Sequence, residues 1–129
     1  MSIRLVLDTS ALLAYVGDDV RAVELGELIA TVDESGDVTG IPALCLIAAY
    51  NKVTAEQRVN LLELTGDEGP TVILPVLAAD IAPIAEFAGS LPCDLAQAAS
   101  DAGKHDALLG TYKRAAYAAA VSEDDILDL

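Results

Sequence analysis

Apolar residues run along this chain in two rhythms, short unbroken runs and longer stretches in which they recur three and four apart. "IRLVLD" at 3–8 is a β-rich run ending in a carboxylate. "TSALLAYV" after it reads as a helix capped by Thr9 or Ser10 and ended by Gly17. From Asp18 to Val32 the apolar positions Leu25, Leu28, Ile29 and Val32 share one helical face, behind leading acids that suit the helix dipole, with Gly26 a weak point. "DVTGIP" at 37–42 predicts a second strand, and Pro42 suits the first turn of the helix "ALCLIAAYNKV". A helical pattern over 55–66 stops at Gly66, "TVILPV" at 71–76 reads as a buried strand, and 77–90 predicts a helix from about Ala79. Pro83 gives that helix either a late start or a kink. "DLAQAASDAGK" at 94–104 predicts a helix capped by Asp94, "ALLGT" at 107–111 a further strand, "YKRAAYAAAV" at 112–121 a last helix and "DILDL" a final edge strand.

Strands alternating with helices predict an α/β fold of three layers, a mostly parallel central sheet flanked by helices. In such sheets ligands bind beyond the carboxyl ends of the strands, where the strand order reverses. Asp8 and Thr111 stand at strand ends of this kind, and Asp94, opening a helix, can face the same crevice. Alone, an aspartate at a strand–helix junction is ordinarily a helix cap. Asp101, seven residues after Asp94 and so roughly two helical turns along, reads as a solvated helix residue. His105 and Asp106 fall at a helix-to-strand turn, at the far end from that crevice.

Composition narrows the picture. A chain of 129 residues buries one ordinary core without staples, which predicts a single domain over 1–129. The 53% hydrophobic content is rich in alanine and lacks tryptophan, which suits helices packed tightly on a small sheet. The longest apolar stretch, at 41–50, is well short of the roughly 20 residues that cross a bilayer, and 1–8 lacks the apolar region of a leader, so a cytoplasmic protein with no membrane partner is expected. Cys45 and Cys93 form no CxxC pair and are expected as free thiols, Cys45 as core filler. Seven basic against 21 acidic residues give a net charge of −14, which opposes approach to RNA and suits a basic partner.

Three stretches together resemble the PIN domain of the VapC toxin type, the small Mg²⁺-dependent ribonucleases of bacterial toxin–antitoxin pairs: "LVLDTSALLAY", "IPALCLIAAYNKV" and "LPCDLAQAASDAGKHDALLGT". The resemblance implies a PIN-like fold, a metal site of four acids binding Mg²⁺ or Mn²⁺, an antitoxin-like protein partner and a homodimer. Asp8 matches the first acid and Asp94 the third, so both are the expected metal ligands and catalytic residues, with Thr9 and Thr111 assisting. The second acid should stand where the chain has Ala48, and the fourth where it has Lys113. Hard divalent cations need oxygen ligands, and an ammonium nearby repels them, so two-metal catalysis is disfavoured. Lys113 is expected either to take the cation's space and pair with Asp8 or Asp94, or to aim into solvent. Restoring the acids, Ala48→Glu with Lys113→Asp, is expected to raise Mg²⁺ affinity.

Two expectations follow. One is a catalytically impaired relative kept for protein binding, needing no cofactor. The other is a slow Mg²⁺- or Mn²⁺-dependent endoribonuclease using Asp8 and Asp94, with Lys113 on phosphate. A haloacid-dehalogenase-like phosphatase fits worse, because it wants a second Asp where Ser10 stands. A response-regulator receiver fits worse too, because its Thr and Lys end separate strands, whereas Thr111 and Lys113 share one turn.

Overall fold

Leu5, Val6 and Leu7 are almost wholly buried, as expected of a strand covered on both faces, and they form the middle of a five-stranded sheet. The computed structural model describes residues 2–129. In chain order the elements are β1 (Ile3–Leu7), α1 (Thr9–Tyr15), α2 (Val20–Glu34), β2 (Val38–Pro42), α3 (Ala43–Tyr50), α4 (Ala55–Leu64), β3 (Thr71–Leu74), α5 (Ile81–Phe87), α6 (Cys93–His105), β4 (Leu108–Thr111) and β5 (Ile126–Asp128). The strands lie in the order β3-β2-β1-β4-β5, every neighbouring pair parallel. Helices surround the sheet, α2 packing on β2 and α6 on β1, β2 and β4, so the predicted three-layer α/β architecture is the observed one. Among the described residues no helix is long and apolar enough to cross a membrane.

The chain winds from β1 outward through β2 to β3, then returns to the other side of β1 for β4 and β5. The strand order therefore reverses between β1 and β4. Leu7 is in register with Gly110, which sets Asp8 and Thr111 side by side just beyond the carboxyl ends of the two strands. Gly110 allows that close approach, because a Cβ there would lie 2.9 Å from Leu7 Cδ2. Gln97, fully buried on α6, ties the neighbouring elements down: its Oε1 accepts from the Leu44 amide in the first turn of α3 and its Nε2 donates to the Leu74 carbonyl at the end of β3. Cys45 is buried in the core as expected, Cys93 is exposed, and both are free thiols.

Several boundaries differ from the sequence expectations, each for a local reason. The cap of α1 is Asp8 itself, not Thr9 or Ser10, since its side chain reaches the Ala11 amide while Thr9 and Ser10 already lie in the helix. The acids leading into α2 stand before it, with Asp19 as the cap accepting from the Arg21 amide. β3 ends at Leu74, because Pro75 brings no N–H to continue the ladder. The segment after it opens with a 3₁₀ turn, Ala78–Asp80, and α5 starts late with Pro83 in its first turn, where a missing N–H costs nothing. Helix α6 begins at Cys93 with Pro92 in the cap position, so Asp94 lies in the first turn and does not cap. The predicted helix over 112–121 is instead a 3₁₀ turn, Arg114–Tyr117, followed by further turns; Lys113 departs from helical geometry, and the tight coil carries Tyr117 back over β1.

Candidate functional site

Asp8 lies at the reversal of strand order, wholly buried, and each of its oxygens holds two donors. Oδ1 accepts from Ser10 Oγ at 2.6 Å and from the Ala11 amide at 3.1 Å. Oδ2 accepts from Thr111 Oγ1 at 2.7 Å and from the Tyr117 hydroxyl at 2.7 Å. The hydroxyls are themselves oriented, because the Tyr112 amide donates to Ser10 Oγ and the Lys113 amide to Thr111 Oγ1. Two backbone amides thus commit Ser10 and Thr111 to act as donors toward the carboxylate. Tyr117 is also fully buried, and burial together with the adjacent Asp8 charge pushes its phenol well above the ordinary tyrosine range, so it stays a donor.

Thr9, buried next to this network, donates from Oγ1 to Asp94 Oδ2 at 2.6 Å, which turns the Asp94 carboxylate toward α1. Asp94 is half-buried, and its backbone carbonyl accepts from Cys45 Sγ at 3.1 Å. Burial pushes the Cys45 thiol far above the usual cysteine range, so it is an inert packing group. The chain therefore gathers Asp8, Thr9, Asp94 and Thr111 at one end of the sheet. It does not bring Lys113 into them: Lys113 is exposed and makes no ion pair among the described residues, the solvent-facing alternative of the two considered. Ala48 sits half-buried on α3 and brings no ligand atom.

An ionised carboxylate offers about four lone-pair positions, and on Asp8 all four are taken by protein donors. A hard divalent cation would have to displace them, and the displaced Thr111 and Tyr117 hydroxyls would be left unpaired in the interior. Among the described residues no three His, Cys, Asp or Glu side chains are grouped so as to hold a metal ion. As arranged, the site does not fit the Mg²⁺ or Mn²⁺ implied by the resemblance. What the arrangement does chemically is fasten β1, α1, β4 and the turn at Tyr117 to one buried charge.

Two participants were missed from the sequence, Ser10 and Tyr117. Ser10 looked only like a cap, and Tyr117 is a lone aromatic among alanines. Its one signal is that a buried tyrosine needs a partner for its hydroxyl. Asp101 corrects a further expectation. It is 2% exposed instead of solvated, and its Oδ2 has no hydrogen-bond partner. Burial, with the Asp80 charge adding to it, pushes its carboxyl up to about 6. Asp80, also buried, accepts from the Leu77 amide and from Lys104 Nζ at 3.1 Å, which hold its carboxyl below the ordinary range. His105 ends α6 and Asp106 caps it in a left-handed conformation two residues before β4, away from the Asp8 network as expected.

A further cleft lies elsewhere. Tyr15, Ala22, Val23, Ile29 and Leu64 contribute to a groove of about 550 Å³ where α1, α2 and α4 meet, and Asp18 and Glu63 stand on its wall with no basic residue in the lining. The sequence matches no family model and no curated protein.

Proposed function

We propose that this chain is a cytoplasmic, PIN-like relative of the VapC toxins whose metal site has become a structural lock, and that it acts by binding an antitoxin-like protein without cutting RNA. The observation that carries the reading is the saturation of Asp8 by four protein donors. Alanine at 48 and an exposed lysine at 113 add no ligand to the site, and the net charge of −14 discourages RNA. The groove between α1, α2 and α4 suits the partner: its apolar wall and unopposed Asp18 and Glu63 fit an amphipathic segment carrying basic residues. Val20 and Val23 on α2 and Val59 and Leu62 on α4 are more than half exposed, and such side chains gain from being covered.

The test is a Mn²⁺ titration by calorimetry beside a ribonuclease assay, on the wild type and on Asp8→Asn. The expected result is no saturable heat and no cleavage from folded wild type. Metal-dependent cleavage that disappears in Asp8→Asn overturns the reading. It would favour the slow endoribonuclease, for which the gathering of Asp8 and Asp94 at one sheet end is the supporting observation. The same titration on Ala48→Glu with Lys113→Asp sharpens it: with Asp8 saturated, two added carboxylates are expected to yield little binding, in place of the gain in affinity expected from the resemblance.

A further inference from the structure

The crevice at the reversal of strand order is closed to cations at Asp8, but it still has a mouth. Ser10, Leu13, Ala14, Arg21, Tyr112 and Lys113 line a cleft of about 340 Å³ beside the ends of β1 and β4. In a chain with 21 acids and seven basic residues, two of the seven meet here and no acid is in the lining. Acids do stand at its rim, Asp19 paired with Arg21 and Glu24 close enough to act on Tyr112, while Asp8 is fully buried and Ser10 Oγ is one of the four donors that engage its oxygens.

The two cations differ in a useful way. Arg21 is held in place: its Nε and one terminal nitrogen engage Asp19, and its guanidinium stands 5.2 Å from the centre of the Tyr112 ring. A guanidinium has five N–H donors, so some remain for a ligand. Lys113 has no acid partner among the described residues and is free to turn toward whatever occupies the cleft.

We propose that this cleft binds the oxyanion group of a small molecule, a phosphate or a carboxylate, between Arg21 and Lys113, directly and without metal. Charge-assisted hydrogen bonds from both cations supply the recognition. The ligand is small because a longer polyanion would leave the cleft and meet the acids that dominate the rest of the surface. The proposal needs neither a metal nor a protein partner, so it stands or falls apart from the function proposed above.

The experiment is an amide NMR titration of the wild-type protein at pH 7 with EDTA present, using inorganic phosphate in one arm and acetate in another, against chloride at matched ionic strength. Saturable shifts at Ser10, Tyr112 and Lys113 are expected, with about tenfold weaker binding in Lys113→Glu and in Arg21→Gln. Both positions are exposed enough for the variants to fold as the wild type does. Saturation by phosphate alone assigns the cleft to phosphate esters, and saturation by both anions widens it to carboxylates. Shifts that only follow chloride, or affinities unchanged in both variants, overturn the proposal.

Discussion

Asp8 and Asp101 are both aspartates at most 2% exposed, yet they live under opposite conditions. Asp8 sits at a strand end, where the chain turns into α1 and the residues after β4 fold back, and it collects four donors from three separate segments. Asp101 sits in the body of α6, where the backbone amides are spent on the helix, and one of its oxygens has no partner. Burial of a carboxylate is costly, and hydrogen-bond donors offset that cost. A carboxylate at the end of a sheet can be fully satisfied by loops, and one on the inner face of a helix has to find a neighbour or take up a proton.

The comparison breaks most severely at its satisfied member. Asp8→Ala should destabilise the fold by about 4 kcal/mol in urea unfolding, because three hydroxyls, two of them fully buried, and an amide lose their acceptor together. A loss near that of a surface substitution would mean the network carries no weight. Next in size is Asp101→Asn. With its carboxyl at about 6 in the folded protein and near 3.8 unfolded, the native state holds the extra proton between those values. That contribution to stability is fully present below about pH 4 and is lost as pH rises through 6. At pH 8, Asp101→Asn should therefore gain up to about 3 kcal/mol and flatten the pH dependence from 4 to 6. No gain there would show that Asp101 finds a partner in solution.

Tyr117→Phe removes one donor of four and should cost about 2 kcal/mol, as expected for a hydrogen bond to a charged group, read as a lowered Tm with the same unfolding slope. A cost equal to that of Asp8→Ala would mean that Tyr117 anchors the whole network alone. Smallest is Arg114→Ala. Its contacts with Glu123 and Asp128 are 3.4 and 3.5 Å long and exposed, so a change under about 1 kcal/mol that fades with salt is expected.

Much of the architecture was legible in the amino-acid order. Short β-rich runs marked β1, β3 and β4, the lead into Pro42 marked β2 and the closing "DILDL" marked β5, and the alternation of strands with helical spacing predicted the layered fold. The meeting of Asp8 with Thr111 followed from both standing at the carboxyl ends of parallel strands. What was hidden depended on contacts between distant segments. The alanines around Tyr117 have high helix propensity, yet the chain forms a tight 3₁₀ turn there, from which the Tyr117 hydroxyl reaches Asp8. Asp101 looked solvated because polarity along α6 suggests an outward face, whereas the helix is enclosed through most of its length from Leu95 to Ala102. Asp94 looked like a cap because aspartate favours that position, but Pro92 occupies it and Thr9 claims the carboxylate.

The tie between Tyr117 and Asp8 spans 109 positions of chain. During synthesis at about 5–20 residues per second, the first strand therefore leaves the ribosome several seconds before the side chain that completes its end. Until then the carboxylate has only its earlier donors, Ser10 and Ala11 beside it and Thr111 once β4 has followed. The order of translation thus postpones the final closing of the fold to nearly its last segment, and a nascent chain halted before Tyr117 would expose an unfinished, sticky sheet to whatever chaperone is at hand.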